Sequence, residues 1–80
     1  MKPLTALQTM ELLLVETKNQ LTKCQILERL YFRLNLKGGK YLLQQGENQT
    51  AIRRFEATLE NLEAIHQDML EQEKEKSATM

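Results

Sequence analysis

Two side chains, a thiol and an imidazole, are the residues best suited to chemistry. Cys24 and His66 are the single cysteine and the single histidine of the 80-residue chain. Neither has a partner at the spacing expected of a nucleophile and its base, and together they cannot complete a structural zinc site. His66 is expected at the edge of a helix stripe, and Cys24 is expected to act as a small buried apolar residue. The sequence therefore predicts no catalytic residue, no metal site and no cofactor, and thus not an enzyme.

The adjacent glycines Gly38 and Gly39 could suggest a phosphate-binding loop. No strand is predicted before them, and no Gly-Lys-Ser/Thr follows them. Because a left-handed helix cap costs a glycine little, the pair instead predicts the end of a helix.

Charge gives no direction toward nucleic acid or membrane. There are 11 basic and 11 acidic residues, so the formal net charge is zero. Basic residues do gather near the glycines, but no interleaved aromatic residues accompany them as a base-stacking surface would need. No apolar run approaches the roughly 20 residues of a transmembrane helix. A cytoplasmic protein with neither nucleic-acid nor membrane partners is the expectation.

Composition predicts an all-α fold, an antiparallel two-helix hairpin resembling a coiled coil with its break at Gly38-Gly39. Leu, Glu, Gln, Lys, Ala and Met fill most positions, and all are good helix formers. Helix 1 is expected at about residues 4–37 with Thr5 as its cap, the connection at 38–47, helix 2 at 48–74 and a frayed tail at 75–80. A start of helix 2 near residue 40 is the alternative. The later start at Asn48 is preferred because a glycine such as Gly46 costs about 1 kcal/mol inside a helix.

Helix 2 has one apolar stripe, whereas helix 1 has two. The stripe of helix 2 comprises Ile52, Phe55, Leu59, Leu62, His66 and Met69, joined by Ile65 and Leu70. On helix 1, one face is expected to meet helix 2, namely Cys24, Leu27, Leu30, Tyr31 and Leu34. The expected pairs place Leu34 near Ile52, Tyr31 near Phe55 and Cys24 near Leu62.

The second face of helix 1 has no cover within the chain. It includes five residues predicted to bind a partner, namely Leu7, Met10, Leu14, Leu21 and Phe32. An uncovered apolar face of this size predicts a protein interface.

Length, the apolar first helix, the glycine break and the stretch "RRFEATLENLEAIH" (residues 53–66) together resemble a known family. They are similar to the small E-type co-chaperones of bacterial type III secretion needles (YscE/PscE-like). The resemblance implies a cytosolic helical hairpin that pairs with a larger tetratricopeptide-like chaperone. It also implies that the pair keeps the needle subunit monomeric before export, with the small protein touching the needle subunit only indirectly. It implies no catalytic residue.

Two other functions remain open from the sequence. Two hairpins could bury their spare faces on each other as a homodimeric four-helix bundle, serving as an adaptor with no secretion role. A small enzyme built across a dimer would need charged residues on the apolar faces. Only Lys18 and Glu28 fall there, and two scattered charges make a poor active site.

Overall fold

The computed structural model describes residues 3–78, with side chains for residues 3–76, and consists of two long helices. Helix α1 spans Ala6–Asn35 and helix α2 spans Leu42–Ala78. They run antiparallel and pack along their length in a rod of 65 × 28 × 14 Å. No strand occurs in the described part of the chain. The predicted all-α hairpin is confirmed.

Helix α1 begins and ends where the local sequence directs it. The Thr5 hydroxyl accepts from the backbone N–H of Gln8, and the Gln8 amide oxygen accepts from the backbone N–H of Thr5, so both orphan donors are satisfied. After Asn35 the chain turns through Gly38 and Gly39, whose φ angles are +94° and +60°. Side chains other than glycine rarely adopt such angles, and the predicted break at this pair is confirmed.

Helix α2 begins at Leu42, so the predicted start at Asn48 is wrong and the earlier alternative holds. The cause is a contact from the other helix. The Asn35 side-chain oxygen accepts from the Tyr41 backbone N–H at 2.7 Å. A side chain of α1 thus acts as the N-terminal cap of α2. The Asn35 amide also donates to Gln45 at 2.7 Å, which holds the first turn of α2 ahead of Gly46.

The predicted frayed tail is also wrong over residues 75–78, since α2 continues to Ala78. Residues 79 and 80, the last two of that predicted tail, lie outside the described residues.

The contact between the helices follows a strict alternation of three- and four-residue steps, as in a coiled coil. We name these positions the seam. They are buried or half-buried, and in α1 they are Leu7, Met10, Leu14, Thr17, Leu21, Cys24, Glu28, Tyr31 and Asn35. In and just before α2 they are Tyr41, Gln45, Asn48, Ile52, Phe55, Leu59, Leu62, His66 and Met69.

The expected register between the helices is wrong by about two heptads. Asn48, not Leu62, lies beside Cys24, since its side-chain amide donates to the Cys24 carbonyl at 2.7 Å. The Tyr31 ring lies beside the Tyr41 ring, with centroids 6.4 Å apart, and not near Phe55 as expected. The earlier start of α2 accounts for six residues of this shift, and the hydrogen bonds from Gln45 and Asn48 to α1 define the observed register. The six main residues of the predicted α2 stripe do lie in the seam. Of the two that were expected to join them, Leu70 is half-buried beside the seam and Ile65 is half exposed.

The seam is thin. In the described part of the chain, Leu14 is the one buried hydrophobic residue and Asn48 the one buried polar residue, each 8% exposed. The radius of gyration is 18.4 Å, whereas a compact chain of this length would have about 12 Å. A hairpin alone therefore leaves many large apolar side chains exposed to water.

Candidate functional site

The seam divides into an apolar half near the chain ends and a polar half near the bend. In the polar half, one carboxylate oxygen of Glu28 accepts from the side-chain amides of Gln45 at 2.8 Å and Gln49 at 3.0 Å. Gln45 in turn accepts from Asn35. This cluster of Glu28, Asn35, Gln45 and Gln49 ties the bend together with hydrogen bonds where a coiled coil usually has leucines.

Hydrogen bonds from Gln45 and Gln49 lower the pKa of Glu28 below its ordinary value, with a smaller contribution from Asn48 and partial opposition from desolvation. Its second carboxylate oxygen is buried without a hydrogen-bond partner. The cluster holds an ionised carboxylate between neutral amides. It contains no nucleophile and no second acid, so its geometry suits fixing of the register rather than catalysis.

His66 and Cys24 also lie in the seam, far apart along the rod. The His66 imidazole is 3.8 Å from a carboxylate oxygen of Glu11 near the open end of the hairpin. Cys24 is half-buried near the polar half. Within the described residues, no group of three or more His, Cys, Asp or Glu side chains could hold a metal ion. The structure thus brings no reactive pair together in this part of the chain.

The more prominent feature is the surface of α1 that α2 leaves exposed. We name it the outer face. It consists of seven large apolar side chains that are 39–60% exposed, namely Leu12, Leu13, Val15, Ile26, Leu27, Leu30 and Leu34. By contrast, α2 exposes three such side chains, Leu42, Leu43 and Ile65. As the sequence indicates, α1 therefore has more uncovered apolar surface than α2.

Of the α1 face expected to meet α2, Cys24 and Tyr31 do lie in the seam, whereas three leucines do not. Leu27, Leu30 and Leu34 were expected against α2, and this is wrong because they lie on the outer face. Of the five residues predicted to bind a partner, Leu7, Met10, Leu14 and Leu21 lie in the seam, where α2 covers them. Phe32 is 60% exposed on the flank of α1, beside Arg29, Arg33 and Leu36.

Sequence reasoning missed the outer face because it sorted residues at 100° per residue. Over a 30-residue helix, a seam with a period of 3.5 residues drifts by about 20° per heptad on such a wheel. The polar seam residues Thr17, Glu28 and Asn35 also interrupt the apolar pattern. Including them as seam positions would have revealed the heptads.

Charge is separated along the rod. The bend half, residues 20–56, carries seven basic and three acidic residues. The rest of the described chain carries eight acidic and three basic residues. No described helix is long and apolar enough to cross a membrane.

Comparisons with protein-family models, with curated proteins and with solved structures found no match to this chain.

Proposed function

We propose that this protein is a small bacterial co-chaperone of a type III secretion system. It acts in the cytoplasm by docking on a larger tetratricopeptide-like chaperone, and the pair keeps the needle subunit monomeric before export. The observation that carries the proposal is the outer face of α1, with its seven uncovered apolar side chains on a rod of only two helices. An exposed apolar surface of this extent is typical of a binding site.

The physical basis is mutual stabilisation. Burying a fully exposed leucine contributes up to about 1.5–3 kcal/mol. The outer-face residues together can therefore offset the loss of translational and rotational freedom on association. A partner that binds the folded hairpin also shifts its folding equilibrium by mass action. The hairpin supplies no catalytic group in this account. The partner surface moves from the seam residues Leu7, Met10, Leu14 and Leu21 to the outer face, with Phe32 at its margin.

The test is recovery of named partners from the native cell. A tagged wild-type chain should retain a tetratricopeptide-like chaperone and, through it, the needle subunit, both identified by mass spectrometry. A variant with Leu27→Asp and Leu30→Asp should lose both proteins.

The matched control is Leu43→Asp, which places the same charge on an exposed leucine of α2. It should retain both partners. The proposal is wrong if the wild type recovers neither protein, or if the outer-face variant and the control recover equal amounts.

A further inference from the structure

We propose that, in the absence of another partner, the outer face of α1 binds a second copy of this chain in an antiparallel orientation. The interface is the pair of outer faces, related by a twofold axis near residues 21 and 22. This inference concerns the chain alone and does not depend on the secretion role proposed above.

The amount of exposed surface supports an intermolecular contact. The chain exposes 6808 Å², whereas a compact monomer of 9.4 kDa would expose about 5,000 Å². A standard stable interface covers about 800 Å² per partner, so the excess surface is large enough to form one.

The outer face is itself divided in a way that suits a twofold contact. Its apolar residues form one group at residues 12–15 and a second at residues 26–34, and no large apolar side chain is exposed between them. In an antiparallel pair centred between the groups, Leu12 and Val15 of one copy lie at the level of Leu30 and Leu27 of the other. Each group then covers the other, as an isologous interface requires.

Charge decides the orientation, because a parallel pair would also bring apolar groups together. In a parallel pair Lys23, Arg29 and Arg33 would each lie at the level of the same residue in the other copy. In the antiparallel pair the basic bend of one copy lies beside the acidic open end of the other, and Glu11 lies near the level of the second Arg33. Opposite charges attract and like charges repel, and these interactions extend over about 8–10 Å in ordinary salt.

The first experiment is sedimentation equilibrium of the full chain at low and high NaCl. The wild type should be a dimer at micromolar concentration and should dissociate more readily as salt rises. The double variant Leu27→Asp, Leu30→Asp should weaken dimerisation by about a hundredfold or more, while Leu43→Asp should not change it. Circular dichroism confirms that each variant remains helical. A helical wild-type monomer overturns the inference, as does a dimer that the outer-face variant leaves intact.

The second experiment tests orientation with spin labels at the edge of the outer face, in a Cys24→Ala background. Labels at Thr22→Cys should lie within about one helical turn of each other along the axis, whereas labels at Arg33→Cys should be about 35 Å apart. Equal short distances at both positions would mean a parallel pair and would overturn the orientation. If the dimer fails but the chaperone is still recovered, the secretion proposal stands without this inference.

Discussion

At the scale of single residues, the polar half of the seam sets how the two helices meet. Asn48 is buried and donates to the Cys24 carbonyl, and Glu28 accepts from two glutamines of α2. Hydrogen bonds of this kind add modestly to stability, but leaving them unmade in another register would be costly. A single buried polar residue can fix the register of a coiled coil, and Asn48 occupies such a position.

We predict that Glu28 makes the stability of the hairpin depend on pH in the acid range. Its folded pKa lies below the ordinary value of 4.5. Its contribution is therefore full above the unfolded pKa and is lost as the pH falls through the folded pKa. Urea unfolding of the wild type and Glu28→Gln at pH 7 and below pH 4.5 measures this contribution.

The difference in unfolding free energy between wild type and Glu28→Gln should be larger at pH 7 than in acid. Every other residue is the same in the two proteins, so the comparison isolates the contribution of Glu28. A difference that stays constant with pH would contradict the assigned role of Glu28.

At the scale of the helices, the hairpin and its break followed from the sequence, whereas the register did not. Thr5 and the glycine pair act on neighbouring residues, so the start and the end of α1 could be predicted from the local sequence. The start of α2 depends on the side chain of Asn35, which belongs to α1. Asn35 can accept from the Tyr41 backbone N–H only after the chain has folded back. The error of six residues at that start is part of the two-heptad error in the pairing. A fixed 100° wheel also placed several residues of α1 on the wrong face.

Two glycine substitutions should change stability in opposite directions. An added Cβ at Gly46 meets nothing within 4 Å, so Gly46→Ala should raise the free energy of unfolding by about 0.5–1 kcal/mol. Gly38 also has open space, but its φ is +94°, so Gly38→Ala should lower the free energy of unfolding by about 1 kcal/mol. Urea denaturation of both variants checks this. A destabilised Gly46→Ala would mean that α2 does not run continuously through residue 46.

At the scale of the whole molecule, the protein is a rod whose seam is covered and whose outer face is apolar and exposed to water. The α2 stripe covers the seam of α1, and nothing in the described chain covers the outer face. Because the seam contains one buried hydrophobic residue, Leu14, the rod has little core of its own. Its stability is expected to come partly from whatever binds the outer face. The sequence predicted that such a surface exists on α1, but four of the five residues that it assigned to the surface lie in the seam.

The most direct test of this account is the dependence of the thermal unfolding midpoint on protein concentration. If the outer face is an association surface, the midpoint of the isolated wild-type chain should rise as its concentration is increased. The midpoint of the Leu27→Asp, Leu30→Asp variant should stay constant. A wild-type midpoint that is high, sharp and independent of concentration would show that the hairpin is stable alone, and would contradict the account.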